Sequence, residues 1–149
     1  MKYFIIIKDK SARVPNKNFR ILGDKPLYKW LTDKLPLNET FINTDSNRVE
    51  GGFTIIKRSE KHIRWEIDLS TSPVLDMINE FLEKYVEDEH EIIVTPHVTS
   101  PFITKETILK ASKKIGEYDK ENKDNKNNRN KNYRSKLKRL QILSGIDND

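Results

Sequence analysis

The chain has no cysteine among its 149 residues, which excludes a disulfide framework, a thiolate-bound zinc and a cysteine nucleophile. Its three histidines, His62, His90 and His97, share no metal-ligand spacing, so structural zinc is not expected. Long apolar runs are missing too. The longest, Tyr3 to Ile7, is too short to cross a bilayer or to act as a secretory leader. Neither GxGxxG nor GxxxxGK[ST] occurs, which argues against a dinucleotide fold and a standard P-loop NTPase. We expect a soluble, cytoplasmic protein with no membrane partner.

Excess charge is scarce over most of the sequence. Lys and Arg number 28 against 23 Asp and Glu, a formal charge of +5. Residues 119–149 hold nine of the basic and five of the acidic residues, leaving 19 against 18 for residues 1–118. The basic stretch DKENKDNKNNRNKNYRSK has one aromatic and no aliphatic residue. It cannot bury enough apolar surface to offset its ordering entropy. The expected organisation is an α/β domain over 1–118 and a Lys/Asn-rich, disordered tail over 119–149. Within the tail, Leu137, Leu140 and Leu143 have the spacing for about two amphipathic turns. Basic tails hold nucleic acid in some proteins, but the interleaved acidic residues argue against that partner here.

What is present is an alternation of strands and helices. KYFIIIK is a continuous apolar run, the pattern of a strand covered on both faces. A helix is expected from Pro26, with Leu27, Trp30, Leu31 and Leu35 on one stripe and Pro36 closing it. TFINTDS and GGFTIIKR read as strands that stop at polar residues. Residues 73–86 carry Leu75, Ile78, Phe81, Leu82 and Tyr85 at helical spacing. EIIVTPHVTSP is strand then loop, and Thr104 is a suitable N-cap for a helix bearing Ile108, Ala111, Ser112 and Ile115. Such alternation predicts a three-layer α/β/α, Rossmann-like fold with a mainly parallel sheet.

In sheets of this kind ligands bind beyond the carboxyl ends of the strands. There the sequence gathers Lys8 to Asn18, Thr44 to Ser46, Lys57 and Arg58, and Thr95 to Ser100. The result is a cationic, hydroxyl-rich crevice with two carboxylates, Asp9 and Asp45. Lys8, Lys10, Arg13 and Lys17, with Ser11 and Asn18, would suit a polyphosphate that needs several charge-assisted donors.

These residues also carry a resemblance. VPNKNFRILGDKPLYKW resembles the N-terminal signature of the acylneuraminate cytidylyltransferase (CMP-sialic acid synthetase) family. The order SxRVPNKN loop, GxKPL helix, NTDS, strand ending in KR, and TSP loop followed by a helix is similar as well, over about residues 3–118. The resemblance implies a nucleotide-diphospho-sugar transferase fold whose first loop wraps CTP. It implies transfer of CMP to an acidic, nonulosonic sugar, with release of pyrophosphate and with Mg²⁺ as cofactor. By that analogy Lys8 stands where the family usually has an arginine at the triphosphate. Arg13 and Lys17 join it in the catalytic set, and Ser11 and Asn18 contact phosphate or nucleotide. Arg58 matches a position near the cytosine, Asp45 lies at the crevice, and His97 takes the place of a family glutamine.

The sequence departs from that pattern in places. The family's usual first-loop glycines are replaced around Asp9 and Lys10, and Asp9 would either face the triphosphate with a like charge or orient Lys8. The family's metal-holding carboxylates, sugar-binding segment and dimerisation segment lie later in the chain, and nothing after Tyr118 matches them. The expectation is therefore a shortened domain with no identified metal ligands and, although the family suggests a homodimer, no dimerisation segment. Asp147 and Asp149 have an Asp-x-Asp spacing but no strand to position them. Two other readings stay open: a non-catalytic nucleotide-binding remnant left by truncation or a frame change near residue 119, and a basic module whose tail contacts nucleic acid.

Overall fold

The apolar run near the start forms the central strand β1 (Lys2–Ile7). Successive side chains of a strand face opposite ways, and both faces of this one are covered. Tyr3, Ile5 and Ile7 enter one core with Tyr28, Leu31, Leu35, Ile42, Val94, Val98 and Ile108. Phe4 enters a second with Met77, Ile78, Phe81 and Ile93. The computed structural model describes residues 1–69, 71–124 and 140–141.

A two-stranded hairpin, β2 (Ile21–Leu22) and β3 (Lys25–Pro26), leads into helix α1 (Leu27–Thr32). There follow β4 (Thr40–Thr44), β5 (Thr54–Lys57), α2 (Glu60–Asp68), α3 (Val74–Tyr85), β6 (Ile93–Val94), α4 (Lys105–Asp124) and β7 (Leu140–Gln141). The main sheet runs β5-β4-β1-β6-β7, and every neighbouring pair is parallel. From β1 the chain adds strands on one side, then crosses over to place β6 on the other. The strand order therefore reverses between β1 and β6, and this switch point opens a crevice at the carboxyl ends.

The expected three-layer architecture is what the chain adopts. Residues of α1 and α4 contribute to the core on one face, and residues of α3 to the core on the other. Several local expectations need correction. Pro26 caps α1 rather than opening it, and the helix ends at Thr32, so Leu35 reaches the core from the following turn. Leu75 is 57% exposed. Met77 takes its place with Ile78 and Phe81, because the buried stripe of α3 is offset from Leu75. Helix α2 was not anticipated. Its one buried residue is His62, so it carries little apolar periodicity, and its local signal is Ser59, which caps it by accepting from the His62 amide at 3.3 Å.

The Thr104 cap is present, with its hydroxyl accepting from the Thr107 amide at 3.1 Å. Helix α4 continues through residue 118 to Asp124. Of the segment read as a disordered tail, residues 119–124 extend that helix and Leu140–Gln141 pair with Ile93–Val94 as a parallel strand. Leu140 is thus extended rather than helical. Leu137, Leu143, Asp147 and Asp149 lie outside the described residues, as does most of the 119–149 tail.

Phe81 holds α3 to the sheet. It is 2% exposed, and its ring centroid lies 4.6 Å from that of Phe4 and 5.2 Å from that of Phe41. Phe81→Ala should lower unfolding free energy by about 3–5 kcal/mol, measured by urea denaturation. A loss below about 1 kcal/mol would contradict this packing.

Candidate active site

A cleft of about 490 Å³ lies at the switch point. Its apolar wall comes from Phe4, Ile6, Val74, Ile78 and Val98, on β1, α3 and the loop after β6. Its polar groups are Lys8, Lys17, Asn18, Arg58, Glu66, Thr95, His97 and Thr99. Of the residues singled out from sequence, the fold brings Lys8, Lys17, Asn18, Arg58 and His97 to this one space. Ser11, Arg13 and Asp45 do not line it, and Arg13 is exposed.

Arg58 has the most constrained environment. It follows β5, its amide continues the ladder by donating to the Thr44 carbonyl at 2.9 Å, and its side chain is fully buried. Nε donates to Asn43 Oδ1 at 3.1 Å. Both terminal nitrogens lack a hydrogen-bond partner among the described residues. The nearest anions to them are Glu66 Oε2 at 3.5 Å and Asp45 Oδ1 at 3.9 Å. Asn18 Oδ1 and Thr95 Oγ1, both lining residues, are also buried and unpartnered. Buried donors and acceptors left open are costly, and here several of them belong to residues that share one cavity.

The first loop has a defined shape. Asn16 adopts the left-handed conformation at φ 54°, which asparagine tolerates better than most residues, and the Phe19 amide then closes a turn onto the Asn16 carbonyl at 2.9 Å. Asn18 Nδ2 donates to the Lys8 carbonyl at 3.0 Å, tying the two ends of the loop together. Asp9 neither faces the cleft as a repelling charge nor orients Lys8. Its carboxylate accepts from Arg48 Nε at 3.1 Å and from a terminal nitrogen at 2.9 Å, and its amide donates to Asp45 Oδ1 at 2.7 Å. Arg48 also donates to Asn16 Oδ1 at 3.3 Å and stacks 3.9 Å from the Phe19 ring centroid. Asp45 is therefore a clip for the first loop.

Sequence reasoning missed Arg48, Asn43 and Glu66, while Thr95, placed at the crevice with the Thr95 to Ser100 segment, does line the cleft. Glu66 lines the cleft, with Oε2 3.1 Å from Lys8 Nζ. It sits on the helix whose periodicity was too weak to be recognised. Asn43 was visible inside the NTDS segment, but its contact depends on the neighbouring strand.

The cleft lies at the switch point of a parallel α/β sheet and is lined by three cationic side chains, Lys8, Lys17 and Arg58. The sequence pattern of the family described as Cytidylyltransferase matches residues 5–143, and the chain belongs to the cytidylyltransferase family. No curated protein matches it. The family's chemistry is CTP-using nucleotidyl transfer. No helix among the described residues is long and apolar enough to cross a membrane.

Cytidylyltransferases generally use a divalent metal. The described carboxylates in and beside the cleft, Glu66 and Asp45, do not fit one as protein ligands. Glu66 is engaged by two cations, and Asp45 by the Asp9 amide. A second group, His62, Asp76 and Glu80, brings ligand atoms within 4.8 Å of one another. There the Lys61 ammonium lies 2.7 Å from Asp76 and 2.9 Å from Glu80. The contact with Lys61, and next that with His62, holds the Asp76 carboxyl below its usual range. This cluster already contains its cation.

The Ser46 hydroxyl, and next the Arg48 guanidinium, hold the Asp9 carboxyl below the ordinary carboxylate range. A depressed carboxyl contributes stability that is present above its unfolded-state value and lost as the pH falls through the folded one. The protection of the first loop's amides, taken relative to their intrinsic exchange rates, should therefore fall as the pH drops below about 4. Arg48→Ala should produce the same loosening at neutral pH. Hydrogen exchange over residues 8–19 tests both, and unchanged protection in Arg48→Ala would remove the clip from the account.

Proposed function

We propose that this chain binds CTP in the switch-point cleft and transfers CMP to an acidic sugar of the nonulosonic, sialic-acid type. The observation that carries the reading is Arg58, whose two terminal nitrogens are buried and unpartnered among the described residues of a cleft that also contains Lys8 and Lys17. A ligand that fills this space must supply acceptor oxygens or ring nitrogens to Arg58 and negative charge to the lysines. A nucleoside triphosphate supplies both. Asn18 Oδ1 and Thr95 Oγ1 offer acceptor sites to the base or ribose.

In the proposed reaction the sugar's anomeric hydroxyl oxygen forms a bond to the α-phosphorus. The bond from that phosphorus to the α,β-bridging oxygen breaks, and pyrophosphate leaves with the bonding electrons. The hydroxyl proton passes to water at the lip of the cleft, where His97 stands. The protein's share is alignment and charge neutralisation. Lys8 and Lys17 meet the developing charge on the leaving group, Arg58 fixes the nucleotide, and Ser11 and Arg13 add contacts from the outer part of the first loop. The acidic-sugar class rests on the SxRVPNKN, NTDS and TSP segments in that order, since the cleft geometry itself speaks only for the nucleotide.

Lys17→Ala should weaken CTP binding by at least about tenfold, the scale of a lost charge-assisted contact, measured by calorimetry. Pyrophosphate should be released when CTP, Mg²⁺ and a panel of acidic sugars are supplied together. Intact CTP binding without release across the panel would reduce the chain to a nucleotide-binding protein, and CTP binding insensitive to Lys17→Ala would move the site elsewhere.

A further inference from the structure

Glu66 is out of character for a polyanion cleft. It lines the space through which a triphosphate would enter, and its side chain is only 18% exposed. Its Oε2 contacts Lys8 Nζ at 3.1 Å and Arg58 at 3.5 Å. Asp45, the other carboxylate near Arg58, is more distant at 3.9 Å, and the same oxygen accepts from the Asp9 amide at 2.7 Å. The charge of the buried guanidinium and that of Lys8 are thus balanced chiefly by one side chain. Helix α2 puts it there: the Ser59 cap starts the helix directly after Arg58, and two turns later the helix presents Glu66 back to the arginine.

We propose that Glu66 is a resident counter-anion, exchanged for the phosphates of the ligand. In the ligand-free cleft it neutralises Lys8 and Arg58. When a polyphosphate enters, Lys8, which is 43% exposed and on a flexible stem, transfers its contact from the carboxylate to a phosphate oxygen. The open N–H groups of Arg58 gain acceptors in the same step. The exchange costs the ligand part of its attraction to the site, so Glu66 holds polyphosphate affinity down and speeds departure of a pyrophosphate product. The inference rests on the proposed function only for the statement that the cleft's ligand carries phosphates.

The thermodynamic sign follows from where the uncompensated charge is felt. Without the carboxylate, the ligand-free protein keeps a buried guanidinium with one distant counter-charge, a strongly destabilised arrangement. The liganded protein does not, because phosphate takes over. By linkage, what the free form loses reappears as affinity.

Inorganic pyrophosphate is the probe, titrated calorimetrically into the full chain, with thermal melts run with and without it. Glu66→Gln should melt lower than the parent without ligand, bind pyrophosphate roughly fivefold or more tightly, and show a larger ligand-induced rise in Tm. Glu66→Asp keeps the negative charge but shortens the side chain by one methylene, drawing the carboxylate back from both Lys8 and Arg58. It should show a smaller change in the same direction, and it carries the test if Glu66→Gln does not fold. Weaker or unchanged pyrophosphate binding in the variant, with the parent binding both pyrophosphate and CTP, would overturn the counter-anion role alone. If the parent binds neither ligand and Glu66→Gln binds pyrophosphate, the counter-anion role stands and the CTP reading falls. If no form binds either, both fall.

Discussion

The structure depends on one desolvated charge. Placing a guanidinium out of water is favourable only if its N–H groups and its charge find partners, and Arg58, with its side chain at 0% exposure, imposes that condition on everything around it. Asn43 must turn its amide oxygen from the neighbouring strand to meet Nε. Helix α2 must begin at once, so that a carboxylate arrives within its second turn. The terminal nitrogens have no hydrogen-bond partner among the described residues.

Around that charge, the two sides of the switch point are organised differently. The β1 side is a clasp. Arg48 and Asp45, from the loop after β4, grip Asp9 and Asn16, so a long glycine-poor segment is held without the backbone freedom that glycine would give. The β6 side is a tight turn, with the Ser100 amide on the His97 carbonyl at 2.9 Å. It is secured from behind by Lys34, which donates to the carbonyls of Pro101 and Ile103 at 2.6 and 3.0 Å. Arg48, Asp45 and Lys34, all outside the cleft lining, thus hold its two rims, while inside it Asn18 Oδ1, Thr95 Oγ1 and the terminal nitrogens of Arg58 have no hydrogen-bond partner among the described residues.

How much of this was legible in the sequence follows from the kind of information each feature uses. β1 was plain, because a run buried on both faces needs no partner to be recognised, and α4 was plain from Thr104. Lys8, Lys17, Asn18, Arg58 and His97 could be placed at one crevice because strand ends in a parallel sheet converge whatever their side chains do. The partners of those residues were not legible. Arg48 pairs with Asp9 across 39 positions and Glu66 with Lys8 across 58, and no local pattern marks either pair. Helix α2 escaped because its apolar residues are few and poorly buried: its one buried residue is a histidine, Ile63 and Trp65 are half-buried and Ile67 is exposed. Leu75 misled for the opposite reason, as an apolar residue one position away from the buried face.

The strand order has a consequence for how the chain is made. β1 is the most apolar strand and the centre of the sheet, yet it precedes all of its partners: Thr40–Thr44 must emerge to cover one edge, and Ile93–Val94 to cover the other. During synthesis its hydrogen-bonding edges and both apolar faces are therefore exposed for longer than those of any other strand, the condition under which nascent chains stick to one another. Lys2 and Lys8 bracket this run in the sequence. Lys8, which in the folded protein lines the cleft beside Glu66, can thus serve earlier as a charged gatekeeper, keeping the unfinished strand in solution until its neighbours arrive.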